Sequence, residues 1–325
     1  MESAASKLQQ LATARVLVIG DVMLDRYWIG DVDRISPEAP VPIVSVKQTD
    51  ERIGGAGNVA RNITALGGLC SLMGIVGNDA AGRKIADIAG NSGVDLQLEE
   101  QPDYETAVKL RVLSKNQQLI RADFESIPDS STLNQMKTRF EQLVNGFDIV
   151  IFSDYGKGAL SDIQSLIGIA LGAGKPVLVD PKGTDFERYY GATMMTPNLA
   201  EFEAVAGRVS NEASLNSKAQ DMVSRFGFEK LLVTLSEKGM TLFQTGNQPI
   251  HVESRHQEVF DVSGAGDTVI SVMAMALGSK LDAATSIEIA NAAAGAVISK
   301  LGTATVSQSE LLEILTTANS VGVSE

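Results

Sequence analysis

Short apolar runs that alternate with longer helix-length segments constrain the fold of this chain most strongly. The first run, residues 15–21 (Arg-Val-Leu-Val-Ile-Gly-Asp), is rich in β-branched residues and ends in a turn residue, as a fully buried strand does. Similar runs recur at 69–76, 147–153, 176–180, 192–196 and 230–235. Strands and helices that alternate at this spacing predict parallel pairing with right-handed crossovers. We therefore expect an α/β fold with a doubly wound, mostly parallel sheet flanked by helices.

Two stretches interrupt this alternation and are rich in strands. Residues 27–52 and 106–124 show no helical pattern, and the second reads as two alternating strands around a polar turn. Two separate β excursions predict a smaller sheet that projects from the main one. Such a sheet can cover a site as a lid, or it can contact a second copy of the chain. We expect one domain over residues 1–325 with this sheet as its lid, and a homodimer formed through the lid.

Composition excludes several classes of function. The 325 residues carry a net charge of −13, which argues against nucleic acid or an anionic membrane as a partner. Cys70 is the only cysteine, and His251 and His256 are the only histidines, so a disulfide and zinc clusters of thiolates or histidines are excluded. No apolar run approaches the ~18 residues of a membrane span, and residues 1–14 show no export signal. We expect a cytoplasmic protein, in which a few cations and backbone amides can still bind an anionic small molecule.

The segment 261–267, Asp-Val-Ser-Gly-Ala-Gly-Asp, carries the most specific chemical signal. Two glycines separated by one residue open a long apolar helix, so their amides can face a ligand. A helix N-terminus carries about half a positive charge, which suits a phosphate or the anionic transition state of phosphoryl transfer. Asp267 is then either a stabilising acid in the first turn or the base that accepts a hydroxyl proton. The residues alone leave both interpretations open.

This segment resembles the signature of the ribokinase-like (phosphofructokinase B) carbohydrate kinases, in which Asp-Thr-x-Gly-Ala-Gly-Asp is typical. The valine and serine at its second and third positions depart from that pattern. The resemblance implies an ATP-dependent sugar kinase in which Asp267 deprotonates the acceptor hydroxyl. It also implies that the amides of Gly264, Ala265 and Gly266 stabilise the transferred phosphoryl group.

A glycine-rich segment near the N-terminus fits the same family. Residues 54–62 (Gly-Gly-Ala-Gly-Asn-Val-Ala-Arg-Asn) are similar to the family's glycine pair and asparagine, which implies sugar contacts for Gly54, Gly55 and Asn58. Read alone, Gly-x-Gly-x-x-Ala also fits a dinucleotide-binding fingerprint. That alternative requires a buried strand directly before the glycines, whereas residues 49–52 are polar. We therefore reject it.

A third segment indicates a magnesium site. Residues 196–201 (Thr-Pro-Asn-Leu-Ala-Glu) resemble the family's Asn-x-x-Glu motif. Asn198 and Glu201 are three residues apart at a predicted helix start, which also fits an N-cap with a capping-box glutamate. The resemblance implies that they organise Mg²⁺ through its waters near the ATP phosphates, and Mg²⁺ prefers few carboxylates and retained water. Both interpretations can hold together.

Weaker similarities indicate which residues form the ATP-binding part of the site. Residues 234–239 resemble the family's nucleotide loop after a strand, which implies ATP contacts for Ser236, Glu237 and Gly239. Asn291 resembles a residue of the adenine-side helix, and Lys182 either approaches the transferred phosphate or caps a loop. The sequence has no Gly-x-x-x-x-Gly-Lys-Ser/Thr run, so a P-loop kinase is excluded.

Segments outside these motifs narrow the identity of the acceptor sugar. Residues 20–28, 34–42, 110–121, 153–158 and 180–187 together resemble the heptose 7-phosphate kinases of lipopolysaccharide precursor synthesis. The resemblance implies phosphorylation of the anomeric (C1) hydroxyl of D-glycero-D-manno-heptose 7-phosphate to the 1,7-bisphosphate. Many such enzymes are fused to a nucleotidyltransferase, and because this sequence ends at Glu325 we expect the kinase activity alone. Another sugar or sugar phosphate as acceptor, and a non-catalytic sugar-phosphate sensor, remain open.

Further residues are candidates for binding the sugar phosphate. Asp21, at the end of the first predicted strand, can bind sugar hydroxyls or bond its own backbone in a turn. The remote phosphate requires cationic side chains beneath the lid. The candidates are Arg34, Arg111, Lys115, Arg121 and Lys157.

Overall fold

The computed structural model describes residues 3–115, 117–254, 261–300 and 302–321. Its strands are β1 (Arg15–Gly20), β2 (Val22–Ile35), β3 (Pro42–Gly55), β4 (Leu69–Gly77), β5 (Asp95–Gln101), β6 (Val108–Ser114), β7 (Gln117–Phe124), β8 (Ile149–Ser153), β9 (Val177–Asp180), β10 (Met194–Met195), β11 (Lys230–Thr234), β12 (Met240–Gln244) and β13 (Ile250–Val252). Its helices are α1 (Ala4–Leu11), α2 (Ala56–Ala65), α3 (Ala80–Asn91), α4 (Ser130–Leu143), α5 (Ile163–Gly172), α6 (Leu199–Ala206), α7 (Glu212–Phe226), α8 (Ala265–Gly278), α9 (Ala283–Ile298) and α10 (Gln308–Val321).

The larger sheet contains nine strands within these residues, in the order β13-β12-β11-β10-β9-β8-β1-β4-β5. Pairing is parallel from β11 to β5 and antiparallel at β12 and β13. The predicted mostly parallel α/β sheet is therefore confirmed. The sequence did not indicate β5, because its alternation of polar and apolar residues is that of a half-exposed edge strand. The last strand of this sheet covers only Ile250–Val252, and residues 255–260 lie outside the described part.

Two hydrophobic clusters cover the two faces of this sheet, as expected for a doubly wound fold. Alternate residues of β1 face opposite ways, so Val16 and Val18 join the cluster under α2, α8 and α9, whereas Leu17 and Ile19 join the cluster under α4, α5 and α7. None of the described helices has the length and apolarity that crossing a membrane requires. Because both faces are covered, the polar groups at the carboxyl ends of the strands are left for ligands.

The smaller sheet has the order β3-β2-β6-β7, in which only β2 and β6 pair in parallel. Its presence confirms the smaller sheet predicted from residues 27–52 and 106–124. Its strands reach closer to the main sheet than predicted, because β2 begins one residue after β1 and β3 ends directly at α2. The smaller sheet therefore grows out of the carboxyl end of β1, beside the N-terminus of α2.

The two faces of the smaller sheet differ in chemistry. Asp25, Tyr27, Lys109 and Arg111 share one polar face, since Asp25 pairs with Lys109 and Tyr27 with Arg111. The residues between them lie on the other face and are apolar except Arg26, which pairs with Glu51. Leu24, Ile53 and Val108 lie on the other face, whose inner end joins the hydrophobic core. The charged face is consequently the one that can face a ligand at the end of the main sheet.

Candidate active site

Residues 261–264 lead directly into the N-terminus of α8. Gly264 is the N-cap of this helix and has a φ of 81°, in the left-handed region that favours glycine. Gly266 is not fully buried, and a Cβ placed on it would meet no atom within 4 Å. Ala265 N–H donates to the Val262 carbonyl, whereas the N–H groups of Gly266 and Asp267 have no partner in the described part of the chain. The helix start therefore presents open amides of the kind that bind anions.

Asp267 lies in the first turn of α8 and is 4% exposed. Its Oδ2 accepts a hydrogen bond from Asn58 Nδ2 at 2.6 Å, and its Oδ1 accepts one from the Tyr155 hydroxyl at 2.7 Å. Burial raises the pKa of the Asp267 carboxyl above its ordinary value, although these two hydrogen bonds act in the opposite direction. The result is a buried carboxyl group with raised proton affinity beside open helix amides, the arrangement that a general base for phosphoryl transfer requires.

The glycine-rich segment supports this carboxylate. Asn58 is fully buried and its Nδ2 holds Asp267, whereas its Oδ1 has no hydrogen-bond partner in the described part of the chain, so its sugar contact stays a prediction. A Cβ on Gly54 would lie 2.4 Å from Asp25 Oδ2, and one on Gly55 would lie 2.3 Å from the Asp21 carbonyl oxygen. Both glycines are buried. Close packing explains the glycine pair.

Asp25 is a site residue that sequence analysis missed. Its buried carboxylate accepts a hydrogen bond from Arg111 Nη1 at 2.5 Å, and its charge is one of the influences that raise the pKa of Asp267. The signal was present in the sequence, because Asp25 follows the apolar run Val-Met-Leu in a strand whose neighbours are buried. A lone acid in such a strand requires a partner or a ligand.

Asp21 has a structural role that the sequence did not indicate, and its sugar contact stays a prediction. Its carboxylate accepts three backbone hydrogen bonds, from the N–H groups of Tyr155, Lys157 and Ala159 at 2.9, 2.9 and 3.0 Å. These donors lie more than 130 residues away in sequence, so Asp21 neither bonds its own turn nor presents free oxygens to solvent. Asp21 anchors the loop after β8 beneath the site.

Cations converge on the polar face of the smaller sheet. Lys109, which was not among the candidate cations, lies with its Nζ 5.3 Å from the centre of the Tyr155 ring. Burial lowers the pKa of Lys109, the charge of Asp25 acts in the opposite direction, and the positive charges of Lys157 and Arg111 lower it further. Lys157 Nζ itself pairs with Glu125. Lys109, Arg111 and Lys157 thus form a cluster of three cations near Asp267.

The other predicted cations, Arg34, Lys115 and Arg121, are exposed. Arg121 is opposite Arg111 on the edge strand β7, exposed and paired with Asp123 at 2.9 Å. Lys115 lies in the hairpin turn with a φ of 48°. Arg34 is exposed near the far end of β2, which at ~3.3 Å per residue is roughly 30 Å along the strand from Asp25. Within one copy of the chain, alternation predicted the correct kind of residue but not its distance from the site.

Asn198 and Glu201 form the predicted capping box. Asn198 Oδ1 accepts from Glu201 N–H at 3.0 Å, and Glu201 Oε2 accepts from Asn198 N–H at 3.1 Å. Lys182 Nζ lies 3.9 Å from the other oxygen of Glu201. Burial, with the charges of Asp267 and Glu201, raises the pKa of the Asp180 carboxyl well above its ordinary value. Asp180 therefore links the capping box to the proposed base.

The segments assigned to the nucleotide adjoin the capping box. Asn198 and Thr234 form a parallel bridge, which brings the loop after β11 to the start of α6. In this loop Ser236 has a φ of 55°, and Gly239 packs so closely that a Cβ on it would lie 2.0 Å from the Val252 carbonyl oxygen. Asn291 Nδ2 donates to the Glu253 carbonyl at 2.8 Å, so its amide supports the strand beside the loop. Glu237 is exposed.

The donor atoms on this side suit a hard cation. Asn198 and Glu201 supply oxygen atoms, and the charge of Glu201 acts on the nearby Asp180 carboxyl. In the part of the chain described by the structure, no three His, Cys, Asp or Glu side chains are arranged to hold a metal by themselves. This arrangement fits Mg²⁺, which keeps several waters and binds one or two carboxylates together with substrate phosphates.

A buried aspartate lies at the start of a helix that opens with glycines, within a mostly parallel α/β fold, and a smaller sheet beside it bears cations. These features together define a ribokinase-like sugar kinase. The model of the pfkB family carbohydrate kinases matches residues 13–310, and the chain belongs to this family. It is therefore a carbohydrate kinase.

Curated relatives match at about half of all positions. The bifunctional protein HldE of Photobacterium profundum is 51% identical over 302 residues, which are 93% of this chain and 63% of that protein. The bifunctional protein HldE of Klebsiella pneumoniae (strain 342) is 50% identical over 304 residues, or 94% of this chain and 64% of that protein. The chain thus spans slightly less than two thirds of the relatives that it matches.

Solved structures share the fold at lower identity. Phosphofructokinase-2 from Escherichia coli in complex with fructose-6-phosphate has a TM-score of 0.79 at 20% identity, covering 94% of this chain and all of that one. Ribokinase from Arabidopsis thaliana complexed with ribose and ATP has a TM-score of 0.76 at 21% identity, covering 93% and 99%. These two structures support the ribokinase-like fold.

Proposed function

We propose that this kinase transfers the γ-phosphoryl group of ATP to the anomeric hydroxyl of D-glycero-D-manno-heptose 7-phosphate, as a step in the synthesis of lipopolysaccharide heptose precursors. One observation carries the proposal: the Tyr155 hydroxyl donates to the buried Asp267 carboxylate while the Tyr155 ring lies beneath Lys109, whose charge interacts with those of Lys157 and Arg111. A sugar with a hydroxyl at one end and a phosphate at the other matches the carboxylate and these cations. The resemblance of segments such as 20–28 and 153–158 to heptose 7-phosphate kinases supports this acceptor.

In the proposed reaction Asp267 accepts the proton of the C1 hydroxyl. The C1 oxygen forms a bond to the γ-phosphorus while the bond from that phosphorus to the bridging oxygen breaks, and ADP leaves. The amides of the Gly264-Ala265-Gly266 segment and the N-terminus of α8 stabilise the charge on the transferred group. The open N–H of Gly266 and the free space above it support this role.

The nucleotide is proposed to bind along the connected loops at the other end of the site. Ser236, Glu237 and Gly239 contact ATP, while Asn291 supports the adenine side and Lys182 approaches the phosphates. Asn198 and Glu201 would hold Mg²⁺ through its waters, and the cation would neutralise phosphate charge. The bridge between Asn198 and Thr234 supports a single continuous ATP site.

The sugar phosphate is proposed to bind under the smaller sheet. Lys109, Arg111 and Lys157 bind the 7-phosphate, and Asp25 binds a sugar hydroxyl beside Arg111. Lys109 supports this placement because a half-buried ammonium among other cations is stabilised by a bound anion. The smaller sheet then acts as a lid that excludes water from the transfer.

The smaller sheet is also the proposed dimer contact. Trp28, Ile120 and Phe124 lie on its apolar face and are 38%, 59% and 43% exposed. Trp28 pairs with Val112, and Val112 pairs with Ile120. Trp28 and Ile120 therefore belong to one patch that crosses three strands. Exposed aromatic and β-branched side chains on one sheet face are typical of a protein contact.

ADP release from wild type and Asp267→Asn tests the proposal. The assay offers heptose 7-phosphate, a hexose phosphate, ribose and a nucleoside in parallel with Mg-ATP. We expect heptose 7-phosphate to be preferred and Asp267→Asn to lose ~10²-fold or more in kcat. Asp221→Asn, at an exposed position on α7, is the matched control.

Three outcomes contradict different parts of the proposal. Full turnover by Asp267→Asn would contradict the assignment of Asp267 as the base. Preference for another acceptor would contradict heptose 7-phosphate as the substrate but leave the kinase activity supported. Sugar-phosphate binding without ADP release from any acceptor favours the non-catalytic sensor.

A further inference from the structure

Tyr155 joins three separate parts of the site. Its N–H donates to Asp21 at the end of β1, its ring lies 5.3 Å beneath the Lys109 ammonium of the smaller sheet, and its hydroxyl is 2.7 Å from Asp267 Oδ1. Neither the family signature nor the glycine-rich segment includes this residue. Its location therefore calls for a role of its own.

The loop that carries Tyr155 is anchored independently of Asp267. Asp21 accepts three N–H groups of this loop. Asp154 Oδ1 accepts from Gly156 N–H at 2.8 Å, and Asp154 Oδ2 accepts from the Tyr189 hydroxyl at 2.9 Å. Two buried carboxylates thus hold the loop from both ends. The position of the Tyr155 hydroxyl is set before Asp267 meets a substrate.

The direction of the hydrogen bond follows from the two groups involved. Burial and the charge of Asp267 raise the pKa of the Tyr155 hydroxyl well above its ordinary value, so it stays protonated. Asn58 Nδ2 can only donate to the other oxygen. A carboxylate offers about four acceptor positions, so two donors leave room for the acceptor hydroxyl.

Among the other groups around Asp267, some raise its pKa and others lower it. Asp25 on β2 carries charge of the same sign and disfavours an ionised Asp267, whereas Lys109 on β6 favours it. The hydroxyl of Tyr155 is one of two direct donors that offset burial and the neighbouring carboxyl group.

We propose that Tyr155 is a positioning residue for Asp267, whose hydroxyl keeps the carboxylate ionised and directs its remaining acceptor positions towards the substrate hydroxyl. The proposal rests on the proposed role of Asp267 as the base. It also connects the smaller sheet to the proposed base, because Lys109 of that sheet lies over the ring of Tyr155, whose hydroxyl binds Asp267.

The variant Tyr155→Phe tests the proposal, since it removes one oxygen atom and keeps the ring beneath Lys109. A hydrogen bond to a charged acceptor corresponds to about one pH unit or more. Without it the pKa of Asp267 rises, so the acidic limb of kcat/KM is expected to move up by about one pH unit, with about a tenfold loss near that limb. The KM for ATP is expected to stay unchanged. Tyr190→Phe, on an exposed tyrosine, is the matched control.

Carbon-13 NMR of aspartate-labelled protein measures the same shift without turnover. The Asp267 carboxyl signal, assigned by its loss in Asp267→Asn, is expected to titrate about one unit higher in Tyr155→Phe than in the wild type and Tyr190→Phe. An unchanged Asp267 titration and an unchanged acidic limb overturn the proposal. If the wild type turns over no acceptor, the proposed function fails while this titration still decides the role of Tyr155.

Fluorine NMR gives a readout that requires no variant at position 155. The chain has five tyrosines, so 3-fluorotyrosine labelling yields few signals. The Tyr155 signal is expected to follow the ionisation of Asp267 in otherwise wild-type protein and to lose that titration in Asp267→Asn. A set of five signals that is the same in both proteins across the pH range contradicts the proposal.

Discussion

A Cβ atom on Gly54 would lie 2.4 Å from the Oδ2 of Asp25, well inside the contact distance of the two atoms. The Asp25 carboxylate has little freedom to move away, because its other oxygen is bound by Arg111 at 2.5 Å. The glycine-rich segment and the acid of β2 are therefore one packed unit. Gly54 is glycine because Asp25 occupies the space of its side chain.

Gly54→Ala is expected to displace Asp25 and break its bond to Arg111. Overpacking of this kind costs about 1–3 kcal/mol in the free energy of unfolding. We also expect a rise in KM for the sugar phosphate that exceeds the change in KM for ATP. Thermal unfolding and steady-state kinetics measure both. Gly168→Ala, in α5 with no atom within 4 Å of the new Cβ, is the control and is expected to be neutral or stabilising. Equal stability of the two variants would contradict the packing argument.

Lys109→Met is expected to weaken binding of the phosphate end of the acceptor. The substitution keeps an apolar stem over Tyr155 but removes one of three clustered cations. We expect KM for the sugar phosphate to rise about tenfold or more, whereas turnover of the corresponding unphosphorylated sugar changes little. Steady-state kinetics with both acceptors measure the difference, and Lys137→Met on α4 is the control. Equal effects on both acceptors would place the phosphate elsewhere.

Glu201→Gln separates the two roles of the capping box. Glutamine keeps a side-chain oxygen for the Asn198 N–H, so the helix cap is retained, but the charge is lost. We expect the Mg²⁺ concentration for half-maximal rate to rise several-fold while the stability changes by less than about 1 kcal/mol. A magnesium titration and thermal unfolding measure these effects. Glu212→Gln, in the first turn of α7, controls for loss of a helix-start charge. A lowered stability with an unchanged Mg²⁺ requirement would show a capping role alone.

Ile120→Asp is expected to weaken the proposed dimer. Ile120 is 59% exposed on the apolar face of the smaller sheet, and a carboxylate there would be buried at a contact. Sedimentation velocity is expected to show a dimer for the wild type and a larger monomer fraction for the variant. Leu171→Asp, on an exposed leucine of α5, is the control. A monomeric wild type at working concentration would refute this contact.

Local pattern was sufficient for most of the fold. Runs such as Arg15–Gly20 are apolar on both faces, and only a sheet covered on both sides buries such strands. The edge strand β5 was not predicted, because most of its residues are only half-buried and five of its seven residues are polar. The terminal helices α1 and α10 were also not predicted. Pattern is therefore most informative where burial is complete and least informative at the periphery.

The sequence by itself determined the elements and the groups that its local order creates. Asp267 follows two glycines at a helix start, and Asn198 and Glu201 lie three residues apart at another, so both arrangements follow from the helical repeat. Only the tertiary structure decided which distant groups meet them. Asp25, Lys109 and Tyr155 come from β2, β6 and the loop after β8, and they converge because parallel strands end at one edge and the smaller sheet folds over it. Arg34 is also a cation on a strand of the smaller sheet, but it lies far along β2 from the site. Alternation along a strand specifies which face a residue occupies and not its distance from the site.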